Sequence, residues 1–463
     1  MRGRAIETTH DQAFERATFA RIGWRLLPLL FAGYVAAFLD RVNIGFAKLQ
    51  MASELNFSDA VYGFGAGIFF IGYFLFEVPS NLVLRKLGAR VWMARIMLSW
   101  GIVSALFVFV DDLRWGPIAA AFGCTDAQFS FYLLRFLLGA AEAGFFPGVI
   151  LYLTYWFPSA RRAQVIALFM SGIAVSNVIG SPVSGAILQF SHGSTMLKGW
   201  EWLFLLEAIP TIVLGVLFFA RLPDGPDKAP WLSEAQRALV HQRLAEEEQA
   251  KVGGHERAGA VFKDWRVWAF SAVYFCAIVC LYAVNFWMPT LVQEMDIDTA
   301  DYLRVGLLSM IPWGVAIAAQ VAWARHSDRT GERRWHCIAG LLVAIAGLLL
   351  LATVGHAIVP SMAALTLVTV GTLCALVTFW SMPPAILSGA AAAAGIALIN
   401  SVGNLGGQFG PDLIGRVRDA SGGDSAAAFY ALTGLAATGA VILLTLPIAR
   451  TRPALAQPLA KSA

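Results

Sequence analysis

Charge is what this sequence has least of. Asp, Glu, Lys and Arg make up only 14% of its 463 residues, against roughly 25% in a typical soluble domain. With 58% of the residues hydrophobic, an ordinary water-soluble globule is excluded. Cysteine is scarce too. Cys124, Cys276, Cys280, Cys337 and Cys374 are scattered, with no CxxC and no His/Cys cluster, which excludes a metal or redox centre and any bound cofactor of that kind. They read as small apolar fillers. No basic patch is interleaved with aromatics, so nucleic acid is not an expected partner. No cleavable signal is visible either: the first 23 residues are polar, and the apolar run after them is too long for a signal core. That segment is expected to stay in the cytosol.

What is present is a series of apolar runs of membrane length, rich in Gly and Pro and separated by polar clusters, the helical rather than the barrel pattern. Twelve helices are expected near 24–48, 60–84, 91–110, 128–153, 161–187, 200–220, 266–291, 303–324, 336–356, 361–381, 390–411 and 426–449. The expected fold is an all-α integral membrane protein with two six-helix bundles, 24–220 and 266–449. Around them lie an N-terminal tail, 1–23, a linker, 221–265, and a C-terminal tail, 450–463. The linker holds Leu222-Pro223-Asp224-Gly225-Pro226, an Ala/Gln/Glu-rich run and Gly253-Gly254, and reads as connective with one surface helix. It has too few large apolar groups to build a sensor module.

With an even number of spans, both termini share a side. Placing them in the cytosol puts 26 of the 34 Lys and Arg residues there, six in outer loops, and two, Arg41 and Arg135, in the membrane. This asymmetry predicts a multi-pass protein of the cell (inner) membrane with cytoplasmic termini.

Four charges inside apolar runs stand out: Asp40 and Arg41 in the first, Arg135 and Glu142 in the fourth. One charge near the bilayer centre costs on the order of 3 kcal/mol, so four cost on the order of 10 kcal/mol. A mere anchor would not retain them. If the first helix leaves the membrane near Lys48, Asp40 sits about 12 Å below that surface, and Arg135 lies about 10 Å below it. Glu142, seven residues after Arg135, falls on the same face about 10 Å deeper. An arginine fork matches the two oxygens of a carboxylate and stays charged when partly desolvated. Proton coupling needs a carboxyl that exchanges its proton near the working pH, which burial and a neighbouring arginine tune in opposite senses. Asp40 and Glu142 are the candidates. The bland alternative is a pair of static ion pairs locking two helices together.

The halves echo each other weakly. His326-Ser327-Asp328-Arg329-Thr330-Gly331-Glu332-Arg333-Arg334 follows the eighth helix, and Arg85-Lys86-Leu87-Gly88-Ala89-Arg90 follows the second, as in duplicated transporter halves. More specific strings are Phe38-Leu39-Asp40-Arg41-Val42-Asn43, the run 67–81, Arg135-Phe136-Leu137-Leu138-Gly139-Ala140-Ala141-Glu142, Phe145-Phe146-Pro147-Gly148 and Ile399-Asn400-Ser401-Val402-Gly403-Asn404-Leu405-Gly406-Gly407. Together they resemble the anion:cation symporter branch of the major facilitator superfamily, whose members import tartrate, phthalate, hydroxyphenylacetate, nicotinate and sugar acids with protons. The resemblance implies that Arg41 and Arg135 bind substrate, that Asp40 and Glu142 couple protons, and that Asp328 and Arg329 serve gating. It adds Tyr73, Trp380 and Asn400 as substrate contacts. Asn285 is either a further contact or helix-to-helix glue, and Asn404, Asn177 and Ser176 are weaker candidates. Glu77 is expected to pair with cytoplasmic basic residues and Glu207 to bond helix ends.

Two positions depart from the family pattern. Phe38 stands where some sugar-acid carriers have tyrosine, and Arg85 stands where the superfamily turn has aspartate. The expected protein is therefore a non-enzymatic, proton-coupled importer of a small organic carboxylate, working as a monomer whose partners are the organic acid anion, protons and the lipid bilayer. An efflux or exchange carrier of the same fold is the alternative.

Overall fold

A computed structural model describes residues 2–250, 262–386 and 389–446. The expected tail 450–463 and residues 251–261 of the linker, with Gly253-Gly254, lie outside the described residues. Every described element is helical.

The chain clusters into two units. The first contains α1 (Arg2–Glu54), α2 (Asp59–Leu87), α3 (Ala89–Ala105), α4 (Pro117–Ala121), α5 (Asp126–Glu142), α6 (Phe145–Thr154), α7 (Ser159–Met170), α8 (Gly172–Ser191), α9 (Gly199–Arg221) and α10 (Glu234–Ala250). Two segments from later in the chain, Phe286–Gln293 and Ile297–Met310, cluster with it. They belong to α11 (Trp265–Gln293) and α12 (Tyr302–Thr330). The second unit holds the rest of those helices, with α13 (Arg334–Leu351), α14 (Ile358–Phe379), α15 (Pro383–Ile386), α16 (Gly389–Asn404), α17 (Gly406–Ser421) and α18 (Ala426–Thr445).

Eleven helices among the described residues are long and apolar enough to cross a membrane. They match the expected runs except 390–411, which is split between α16 and α17 around Leu405. Several boundaries differ from expectation. The first helix has no break at residue 23 or at Lys48 and runs on to Glu54. Asp40 is therefore about 21 Å from that helix end at 1.5 Å per residue. The run 161–187 divides into α7 and α8 at Ser171. The run 128–153 breaks immediately after Glu142, where Gly144 takes a left-handed backbone, φ 89°. A side chain there would be strained and would also strike Ser80. Backbone broken at membrane depth survives only where protein covers it, and here it ends α5 at the acid the sequence singles out.

Local chemistry sets where the site-bearing helices begin. Ser58 caps α2 by accepting from Val61 N–H at 3.3 Å. At the start of α5, Thr125 Oγ1 accepts from Gln128 N–H at 3.2 Å and Gln128 Oε1 from Thr125 N–H at 3.1 Å, a reciprocal capping box. Lipid tails offer apolar side chains as much as a neighbouring helix does, so spans associate through close backbone approach at small residues. α2 and α5 pair in this way. A Cβ on Gly139 would fall on the Phe69 carbonyl oxygen, and one on Gly72 on that of Phe136. This approach carries Arg135 and Glu142 up to the face of α2 that bears Phe69 and Tyr73. α13 and α14 pair through Gly340, Gly347 and Gly371.

Gly139→Ala is expected to lower the melting temperature of detergent-purified protein markedly, because it overpacks a backbone contact at a cost of about 1–3 kcal/mol. Gly434→Ala, where a Cβ meets nothing within 4 Å, should leave it unchanged. Equal effects would contradict the packing described.

Candidate functional site

Asp40, Arg41, Arg135 and Glu142 are all buried, at 1%, 8%, 0% and 1% exposure. Adjacent positions on a helix point about 100° apart, so Asp40 and Arg41 meet different neighbours. Arg41 reaches across to α5 and forms an ion pair with Glu142 through Nη2 and Oε1. Asp40 has no arginine partner. Its carboxylate accepts from Trp100 Nε1 at 2.5 Å and Ser104 Oγ at 3.2 Å on α3, from Thr211 Oγ1 at 3.0 Å on α9, and from Asn43 Nδ2 at 3.5 Å. Neutral donors thus replace the guanidinium that sequence adjacency suggested.

Arg135 spends Nη2 on the Ala66 carbonyl at 2.8 Å and Nε on that of Gly65 at 3.4 Å. Its Nη1 is buried with no hydrogen-bond partner, and so is Glu142 Oε2. An unpaired buried polar atom carries the full penalty of its lost hydration. Phe69 links the two cations: each guanidinium carbon lies 5.2 Å from its ring centre. Arg41 also lies over Phe38 at 4.7 Å and Tyr73 at 5.4 Å. Cation–π contacts keep a guanidinium soluble in an apolar setting while leaving its N–H groups available. Tyr73 therefore joins the cluster by geometry, and Arg135 approaches Phe286 at 5.9 Å.

The remaining expected residues belong to the second unit. Asn285 on α11 is buried and its Oδ1 has no partner. Trp380 caps the C-terminal end of α14 and packs edge-on to Tyr274 at 4.8 Å. Asn400 lies on α16, one turn before Gly403, whose backbone is pressed against the Tyr274 ring. Asp328 pairs with Arg333 at 2.6 Å, while Arg329 is exposed.

Several residues were absent from the sequence-derived set. Trp100 and Ser104, four apart on α3, and Thr211 after Pro210 are Asp40's donors, and their only sequence signal is polarity at helical spacing in an apolar run. Lys48 is not a surface marker but 7% exposed. It pairs with Asp59 at 2.7 Å, reaches Thr290 Oγ1 at 3.4 Å and lies 4.0 Å from the centre of the Trp287 ring. Glu207 does not bond a helix end: it accepts from Ser184 Oγ at 2.7 Å.

The Arg41–Glu142 pair gives a direct prediction. Arg41→Leu or Glu142→Leu alone should each destabilise by about 3–5 kcal/mol, because each leaves one uncompensated buried charge. The double variant should cost clearly less than the sum of the two. Thermal unfolding of the three variants measures this, and strict additivity would contradict the pairing.

Residues 30–411 match the family model described as Major Facilitator Superfamily. The chain is 48% identical over 439 residues to an Agrobacterium vitis protein provisionally named a tartrate transporter, covering 95% of this chain and 96% of that one. It is 41% identical over 433 residues to a Pseudomonas putida protein provisionally named metabolite transport protein NicT, covering 93% and 95%. Its fold is similar to that of the xylose transporter XylE from E. coli in a partially occluded inward open conformation, with TM-score 0.72, 14% identity, and coverage of 93% of this chain and 99% of that chain. Apolar spans, α2–α5 backbone packing and the extent of these matches lead to one assignment: this chain belongs to the Major Facilitator Superfamily and is a multi-pass membrane transporter of an organic substrate.

Proposed function

We propose that the protein imports a small organic carboxylate together with protons across the cell (inner) membrane, by alternating access between its two units. The observation that carries this reading is Arg135 Nη1, a buried cationic donor with no acceptor, beside a second arginine already neutralised by Glu142. A carboxylate supplies what Arg135 lacks. The name of the Agrobacterium vitis relative, a tartrate transporter, agrees with an organic acid as cargo.

The coupling follows from the ion pair. While Glu142 is ionised it occupies Arg41, and the site offers an incoming anion one guanidinium. Protonating Glu142 removes that competitor, so Arg41 and Arg135 then face the anion together across Phe69. Proton and anion thus bind as a neutral pair, which lowers the charge that must cross the membrane interior. Asp40, solvated by Trp100, Ser104 and Thr211, is the second proton-exchanging group, on the helix that carries Arg41. Tyr73 positions the anion through its hydroxyl and its contact with Arg41, and Asn285, Trp380 and Asn400 are further proposed substrate contacts. The Asp328–Arg333 pair, with Arg329 beside it, acts in gating. The excess of basic residues at one set of loops supports cytoplasmic termini, and a working monomer is part of the same proposal.

In proteoliposomes, Arg135→Ala and Arg41→Ala are expected to abolish uptake, a loss of at least 100-fold for a charge-assisted bidentate contact of about 3 kcal/mol. Asp40→Asn and Glu142→Gln should retain anion exchange but lose stimulation by an inward proton gradient. Wild-type pH dependence in both acid variants would overturn the coupling scheme, and export driven by an incoming proton would overturn the direction.

A further inference from the structure

Glu207, on α9, is a third acid in the first unit's membrane-buried interior, at 2% exposure, and the scheme above does not use it. One carboxylate oxygen accepts from Ser184 Oγ at 2.7 Å, while Oε2 has no partner. The side chain of Asn43 is a neighbour of the Glu207 carboxyl, and its Nδ2 lies 3.5 Å from Asp40 Oδ1. Asn43 Oδ1 has no partner. A single amide therefore neighbours two buried carboxyls, and Asn43 and Glu207 each hold an orphaned acceptor. Two acceptors satisfy each other only if a proton lies between them.

We propose that Glu207 is a proton-holding carboxyl coupled to Asp40 through Asn43, so that the two acids share one proton. When Glu207 is protonated, its hydroxyl donates to Asn43 Oδ1, and Asn43 turns its N–H groups to the ionised Asp40. When Asp40 is protonated it no longer needs that donor, and the amide turns its N–H groups to an ionised Glu207. No proton passes through the amide: it reports which acid is charged, and the proton is exchanged with water when the site is open.

The charge balance agrees. Within the group formed by Asp40, Arg41, Arg135, Glu142 and Glu207, two arginines already offset Asp40 and Glu142, so a third ionised acid would be uncompensated in a low-dielectric interior. Among the described residues, the elements packed against α9 bring no other cation to Glu207. α8 and the turn 106–109 have no charged residue, the charges of α3 are Arg90 and Arg95, and the nearest charges on α1 are Asp40 and Arg41.

This inference deepens the proton-coupling reading and rests on it for its transport consequence. Its test therefore has two arms. Infrared spectra of purified wild-type protein at neutral pH should show a protonated-carboxyl C=O band that disappears in Glu207→Gln. An unchanged band in that variant overturns the proposal. Glutamine donates permanently to Asn43 Oδ1, so Glu207→Gln should fold and bind substrate like wild type yet lose at least 10-fold of its proton-gradient stimulation. Asn43→Leu should lose it too, and Asp40→Asn combined with Glu207→Gln should be no worse than Asp40→Asn alone. Gradient-driven uptake that is intact in Glu207→Gln overturns the role of Glu207 while leaving the parent scheme standing. Wild-type uptake indifferent to the gradient overturns the parent scheme, and the infrared arm still decides whether Glu207 is protonated.

Discussion

The cost of keeping charge in an apolar interior governs this structure. Arg41 and Glu142 relieve it by pairing across α1 and α5, Asp40 by collecting neutral donors from three helices, and Arg135 by using two backbone carbonyls of α2. Each solution needs helices at short range. Gly72 and Gly139 bring α2 and α5 close enough for Arg135 to reach the carbonyls of Gly65 and Ala66, and the break at Gly144 ends α5 at Glu142. The scaffold and the charges are therefore one design: without close backbone packing the arginine would stand unsolvated, and without the charges that approach would have no polar purpose.

Not every charge is satisfied, and three of the unpartnered atoms belong to the buried charges described above. Arg135 Nη1, Glu142 Oε2 and Glu207 Oε2 all lack partners in the first unit. A structure selected for stability alone would replace such groups by apolar ones at little loss. Their retention fits a site whose missing partners arrive and leave, an anion for the arginine and protons for the acids. The aromatic faces of Phe38, Phe69 and Tyr73 make this tolerable by stabilising cations without consuming their hydrogen-bond donors.

Much of this was legible in the sequence because charge in an apolar run is conspicuous. The runs themselves locate the spans, and Asp40, Arg41, Arg135 and Glu142 are recognisable by their setting. The pattern of contacts was not. Trp100, Ser104 and Thr211 lie 60, 64 and 171 residues from Asp40, and no local periodicity reveals such meetings. The end of the first helix was placed too early because Lys48 looked like a boundary, whereas a lysine can be buried when an aspartate and an indole ring receive it. Glu207 looked like a helix-end acid because Pro210 is near, but tertiary approach of α8 and α1 set its partners. The run 128–153 is one span as expected, but its local break at Gly144 was not legible, since one glycine with positive φ is enough to interrupt a helix.

The central claim is that Arg135, whose Nη1 has no acceptor, and its neighbour Arg41 form a receptor for a carboxylate whose binding is linked to protons. The most direct measurement is a thermal-shift screen of the purified protein against tartrate, phthalate, hydroxybenzoates, hydroxyphenylacetate, nicotinate, succinate and sugar acids at two pH values, with Arg135→Ala as control. A ligand that binds only the folded state raises its stability by mass action. The account predicts stabilisation by one chemical class of carboxylate, larger at the lower pH and absent in Arg135→Ala. Stabilisation by cations or neutral amphiphiles, with no response to any acid, would contradict it.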